Sequence, residues 1–205
     1  MSRRRTLAIP LVVVGAVLAG VAVWAVVSAR DADPPLHLIS LPIPGYVVDP
    51  VVTGDLDLTA ASRSTVVPTD LVRIELQREG FRRGGVRTWR RQDQFVQATA
   101  YTLGSAKRSQ ALVSFLLSYV EGLPGSGPVA AQAVLFPVTG IPEAKGFLAN
   151  GTSDTDGAPL FVQGVCFTVG RRAYLVETGA AQPAATDFVL DLARRQYALI
   201  RSAGR

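Results

Sequence analysis

At 205 residues, nearly half of them hydrophobic, the chain has room for one ordinary domain plus a targeting segment. Its formal charge of +5 includes Arg3, Arg4 and Arg5 at the amino terminus; residues 30–205 carry 18 basic against 16 acidic groups, which is not a nucleic-acid-binding composition. A single cysteine and a single histidine exclude an intramolecular disulfide and leave no metal-ligand cluster, and no cofactor motif is present.

Residues 1–6 precede an apolar run, LAIPLVVVGAVLAGVAVWAVV, that occupies residues 7–27 without one charge. At 1.5 Å per residue such a run matches a bilayer core of about 30 Å, which predicts one transmembrane helix. The arginines before it place the amino terminus in the cytoplasm and the rest of the chain outside. Val27-Ser28-Ala29 resembles a signal-peptide cleavage site, but the apolar core exceeds the roughly 7–15 residues of an ordinary leader. Gly15 and Ala19, and Ala16 and Gly20, stand four apart, the spacing that lets two membrane helices approach and self-associate.

Residues 28–50 hold five prolines and read as an extended extracytoplasmic linker, with His37 as a solvated side chain within it. The domain is expected over 51–205. Asp55 or Thr53 is expected to cap a short first helix that buries Leu56, Leu58 and Ala61. In PTDLVRIELQREGF, Thr69 is the expected cap, Leu71, Val72, Ile74 and Leu76 form the apolar stripe, and Gly80 is the left-handed stop. GVRTWRR and QFVQATAYTL, joined at Gln92-Asp93, predict an antiparallel strand pair. A long helix opens at Ser105 and buries Val113, Leu116, Leu117 and Val120, with Gly122 repeating the stop.

Short strands are then expected at 133–138 and 145–149. The strongest hairpin pairs 160–169 with 173–178 about Gly170-Arg171-Arg172, with both arginines open to solvent. A last helix turns Phe188, Val189, Leu192 and Tyr197 inward and places Arg194, Arg195 and Arg201 toward its carboxyl end. The expected fold is α+β: an antiparallel sheet of about five to six strands, helices packed on one face, preceded by the transmembrane helix.

The motifs GFRRGGVRTWRR, FVQATAYTLGSAKRSQALVSFL, FPVTGIPEAKGF and VCFTVGRRAYLVET, over roughly residues 54–203, resemble those of actinobacterial membrane-anchored envelope proteins with a PsbP-like α/β sandwich domain. These motifs are structural, and no acylated cysteine of the lipid-anchored members is present. The resemblance implies an envelope protein and brings no active residue with it.

Reactive constellations are scarce. Nucleophilic catalysis needs a Ser or Cys with a base and an orienting acid, and His37 stands far from any partner. Cys166 has no second thiol or base to activate it and reads as a small buried side chain in the hairpin. Asp154, Asp156 and Gly157 faintly resemble a calcium loop whose downstream acid is missing, so a surface turn is preferred. Asn150-Gly151, within a glycosylation sequon, is first a turn dipeptide. The candidates for carboxylate catalysis, Glu121, Glu143, Glu177 and Asp191, have no suggestive local pairing.

The one surface candidate is Arg83, Arg87, Trp89, Arg90 and Arg91, with Gly84-Gly85 as a bulge that leaves the strand faces open. These residues would meet an anionic envelope polymer, a headgroup or an acidic protein surface, with Trp89 as the aromatic contact. The bland alternative is an edge strand charged against aggregation. The functional expectation is an anchored, non-catalytic binding or scaffold protein of the cell envelope. The alternative is an envelope hydrolase using acidic residues in a cleft, which requires a pocket lined by two carboxylates of raised pKa.

Overall fold

The structure, a computed structural model, describes residues 36–39, 42–65, 67–122, 133–152, 159–182 and 185–203. The expected span at 7–27, the spacer up to residue 35 and the acidic turn of Asp154 and Asp156 lie outside them. Among the described residues no helix is long and apolar enough to cross a membrane.

Among the described residues twelve elements follow in the order β1 (Val47–Val48), β2 (Gly54–Leu56), α1 (Leu58–Ser62), α2 (Thr69–Arg78), β3 (Arg83–Arg91), β4 (Gln94–Thr102), α3 (Ala106–Glu121), β5 (Val134–Pro137), β6 (Lys145–Thr152), β7 (Pro159–Val169), β8 (Arg172–Ala180) and α4 (Thr186–Ala203). The strands form one sheet of eight in the order β1-β3-β4-β8-β7-β6-β5, with β2 beside β1 on the outer edge of β3. All pairings are antiparallel.

The α+β class and the antiparallel sheet therefore agree with the sequence, while the strand number exceeds the expected five to six. The helices also occupy both faces rather than one. Along β7, Val162 and Cys166 join the core beneath α1–α3, whereas Val165 and Phe167 join the core beneath α4. Side chains alternate across a strand, so a nearly continuous apolar run such as VQGVCFTV needs cover on both sides.

Residues from Leu36 onward belong to the same compact unit as the sheet. Ile39 and Ile43 are buried against the α4 side, with Leu36, Leu38 and Tyr46 beside them. Gln196 of α4, itself fully buried, holds this strap by its backbone: its Oε1 accepts from the Ile39 N–H at 2.8 Å and its Nε2 donates to the His37 carbonyl at 2.5 Å. Prolines had hidden these contacts, because a strap without regular secondary structure leaves no hydrophobic period to read.

Helix ends follow local chemistry. Gly80, at φ +65°, closes α2: its N–H donates to the Gln77 carbonyl and the Phe81 N–H to that of Leu76, a full Schellman motif. Thr69 is the first helical residue, not the cap; Pro68 holds that place without a side-chain bond. Asp57, rather than Asp55 or Thr53, caps α1 through the Ala60 N–H at 2.8 Å. Ser105 caps α3 as expected, but Gly122 at φ −87° is no left-handed stop. On α2 the stripe is narrower than predicted, since Leu71 and Ile74 are exposed and Glu75 turns inward.

Three directly opposed cross-strand pairs set a phenylalanine against a glycine: Phe136 with Gly146, Phe147 with Gly164, and Phe95 with Gly179. A Cβ on any of these glycines would meet the opposing ring within 2.4 Å, so the rings lie flat over bare backbone.

Candidate functional site

β3 and β4 pair without a bulge from Arg83 opposite Thr102 to Arg91 opposite Gln94, and Gln92 takes the positive φ of the turn at +53°. That regular register assigns the faces that the sequence left open. Arg83, Arg87, Trp89 and Arg91 share the α4 face, and Arg90 points to the other.

Trp89 is buried, so it is a core residue and not itself a contact for a partner. The Arg87 guanidinium lies 5.6 Å from the Trp89 ring centroid, and Arg91 lies 5.8 Å from that of Tyr46. Stacking occupies the flat face of a guanidinium and leaves its edge donors for other partners. The Arg87 Nε finds no acceptor among the described residues. Arg90, by contrast, is spent on an ion pair with Asp49, whose carboxyl it holds below the usual value, together with the Val51 N–H.

Beside Arg87 opens a groove of about 250 Å³ lined by Leu36, Leu38, Thr53, Gly54, Asp55 and Gly85 among others. A second cavity of about 320 Å³ lies between β2–α1 and the sheet, walled by Val51, Val52, Arg63 and Ser64, with Gln97 among its lining residues.

Gln97 belongs to a polar row that sequence reasoning did not find. Thr88 Oγ1 donates to its Oε1 at 3.2 Å, and its Nε2 donates toward the Ser64 carbonyl at 3.0 Å, Glu177 Oε1 at 3.1 Å and Thr99 Oγ1 at 3.2 Å. Glu177 is only 2% exposed, and its Oε2 has no partner among the described residues. Burial pushes its carboxyl up to about 8, so it carries a proton at neutral pH. The signal was present in AYLVETG, a glutamate inside a run too apolar to solvate it.

Burial likewise raises the Tyr101 hydroxyl, which shares a 2.8 Å hydrogen bond with Ser64 Oγ. It raises the Cys166 thiol too, with a smaller contribution from Glu177. The expectation of a small buried cysteine agrees with its 1% exposure. The expectation for the neighbouring hairpin turn needs a correction: Gly170 and Arg171 make the turn, and Arg172 opens β8 as a buried residue, because the sheet continues to the turn itself.

The other acids disperse. Glu121 and Glu143 are exposed and line, with Lys145, a groove of about 430 Å³. Asp191 pairs with Arg195 at 2.8 Å along α4. Among the described residues, the carboxyls raised by burial are Glu75, offset by Arg78, and Glu177, and neither lines a cavity described above.

No protein-family model matches the chain, and no curated protein does. Among solved structures, the extracellular domain of PknH from Mycobacterium tuberculosis is similar at 11% sequence identity and a TM-score of 0.46, over 83% of this chain and 84% of that one. A likeness at that level assigns no function.

Proposed function

We propose that residues 36–205 form a binding or scaffold domain of the cell envelope, carried outside the membrane by residues 7–27, and that it meets an anionic partner through Arg83, Arg87 and Arg91. The observation that carries this reading is the arginine row on one face of β3. Successive members stand about 13 Å apart by strand geometry, and two of them are stacked on aromatic rings that fix the guanidinium planes before any partner arrives. Arg90 is left out of the row, because it faces the other way and is paired with Asp49. The partner class is an anionic envelope polymer, a headgroup or an acidic protein surface.

The hydrolase alternative gains no support, since it needs two raised carboxyls lining one cavity and Glu75 and Glu177 do not line one among the described residues. Co-purification from detergent-solubilised envelopes tests the binding reading. The wild-type chain is expected to hold a partner at low salt that Arg91→Glu loses, with stability lowered by no more than about 1 kcal/mol for the lost stack on Tyr46. An unchanged partner list overturns the arginine surface. A carboxyl-terminal domain that protease cannot reach in intact spheroplasts overturns its outward placement.

A further inference from the structure

The two-residue strand β1 and the loop that follows it carry four valines in six positions and show them to solvent: Val47 is 71% exposed, Val51 89%, Val48 38% and Val52 38%. This display is held in place by several bonds. The Asp49 N–H donates to the Thr88 carbonyl at 2.9 Å, the Val51 N–H donates to Asp49 Oδ1 at 2.9 Å, and the Arg90 guanidinium pairs with the same carboxylate. Thr53 Oγ1 accepts from the Thr88 N–H at 3.1 Å and donates to its carbonyl at 3.4 Å. The loop is thus ordered with its apolar side chains outward, and an occupant that covers them meets a small ordering cost.

The charges around the loop nearly cancel. Exposed Arg63 and Arg91 and half-buried Arg87 are set against exposed Asp55 and Asp93, and Asp49 is paired with Arg90, so the net charge is small. A near-neutral apolar tip favours insertion into hydrocarbon over a purely ionic contact. The course of the chain says which apolar medium is at hand. Leu36, where the domain begins, packs against Gly85 and lines a groove with Thr53 and Gly54, so the chain enters beside this same edge of the sheet. Residues 28–35 are all that separate that entry from the apolar run ending at Val27, a reach of about 29 Å at full extension.

We propose that residues 47–52 form a membrane-insertion loop that seats the domain on the surface of the bilayer holding its own anchor. The inference rests on the reading that residues 7–27 span that membrane.

The test uses the full chain reconstituted in phosphatidylcholine vesicles, with Val51→Cys carrying a bimane label. Cys166 is buried and does not compete for the reagent. Val134→Cys, at an exposed site on β5 at the far edge of the sheet, is the matched control. Nitroxide on the lipid acyl chains is expected to quench the label at 51 severalfold more than at 134, with the order reversed for iodide in the aqueous phase. Adding Val47→Asp and Val52→Asp is expected to abolish the difference. Equal quenching at both sites in vesicles that carry the chain overturns the insertion loop and leaves the anchor standing. A chain that does not float with vesicles overturns both.

Discussion

The face of the sheet under α4 is filled by Trp89, Phe167, Tyr174 and Val176, with Phe167 stacked on Tyr174 at 5.2 Å and met edge-on by Tyr197 at 5.9 Å. The face under α1–α3, built from the intervening residues of the same strands, carries Gln97, Thr99 and Glu177 among its aliphatic side chains. The first face is held mainly by apolar and aromatic contact, with Gln196 bonding the strap at its margin. The second loses stability as its carboxyl ionises, because an ionised group with one oxygen unpartnered among the described residues has no counter-charge beside it.

Breaking the contrast from its apolar side gives the largest expected effect. Phe167→Ala removes a ring that is 1% exposed and contacts two others, and should lower stability by about 3–5 kcal/mol, measured as a fall in the denaturant midpoint.

The polar side is sharpened by Glu177→Gln. The folded carboxyl keeps its proton up to about 8 and an unfolded one releases it near 4.5, so across that window the folded state binds more protons and stability falls as pH rises. The wild-type loss approaches about 1.4 kcal/mol per pH unit inside the window. The glutamine variant should be flatter and, near pH 8, more stable than wild type. Parallel pH profiles for the two proteins would mean that the carboxyl is not held neutral.

The smallest effect concerns how the α4 face is closed at its margin. Gln196→Ala removes both bonds to the strap at His37 and Ile39, at a cost of about 1–3 kcal/mol. Proteolysis within residues 36–46 should then precede global unfolding. Simultaneous cleavage of strap and core would show that the strap is held by Ile39 and Ile43 instead.

These two faces also show what a sequence discloses. Strands β3, β4, β7 and β8, the hairpin at Gln92-Asp93 and the stop at Gly80 were legible because long alternating runs and turn residues leave a local trace. The strands β1 and β2, of two and three residues, were not, since they exist only as partners along the edge of β3. The arginine row was visible as composition, but its faces needed the register. Glu177 was noticed as an acid and Gln196 not at all, although each interrupts an apolar pattern. Their partners, Gln97 and the strap backbone, lie 80 and 157 residues away.

The phenylalanine and glycine pairs bear on how the sheet finds its one alignment. Phe136 and Gly146, Phe147 and Gly164, and Phe95 and Gly179 link three separate strand boundaries, each ring needing bare backbone directly opposite. Sliding a strand by two residues would preserve inside and outside, and hydrophobic pattern alone would not object. It would, however, drive a ring into a side chain at that boundary, so the three pairs act as independent proofreaders of strand alignment. A chain rich in valine and alanine, whose strands otherwise look alike to one another, has special need of such checks while it folds.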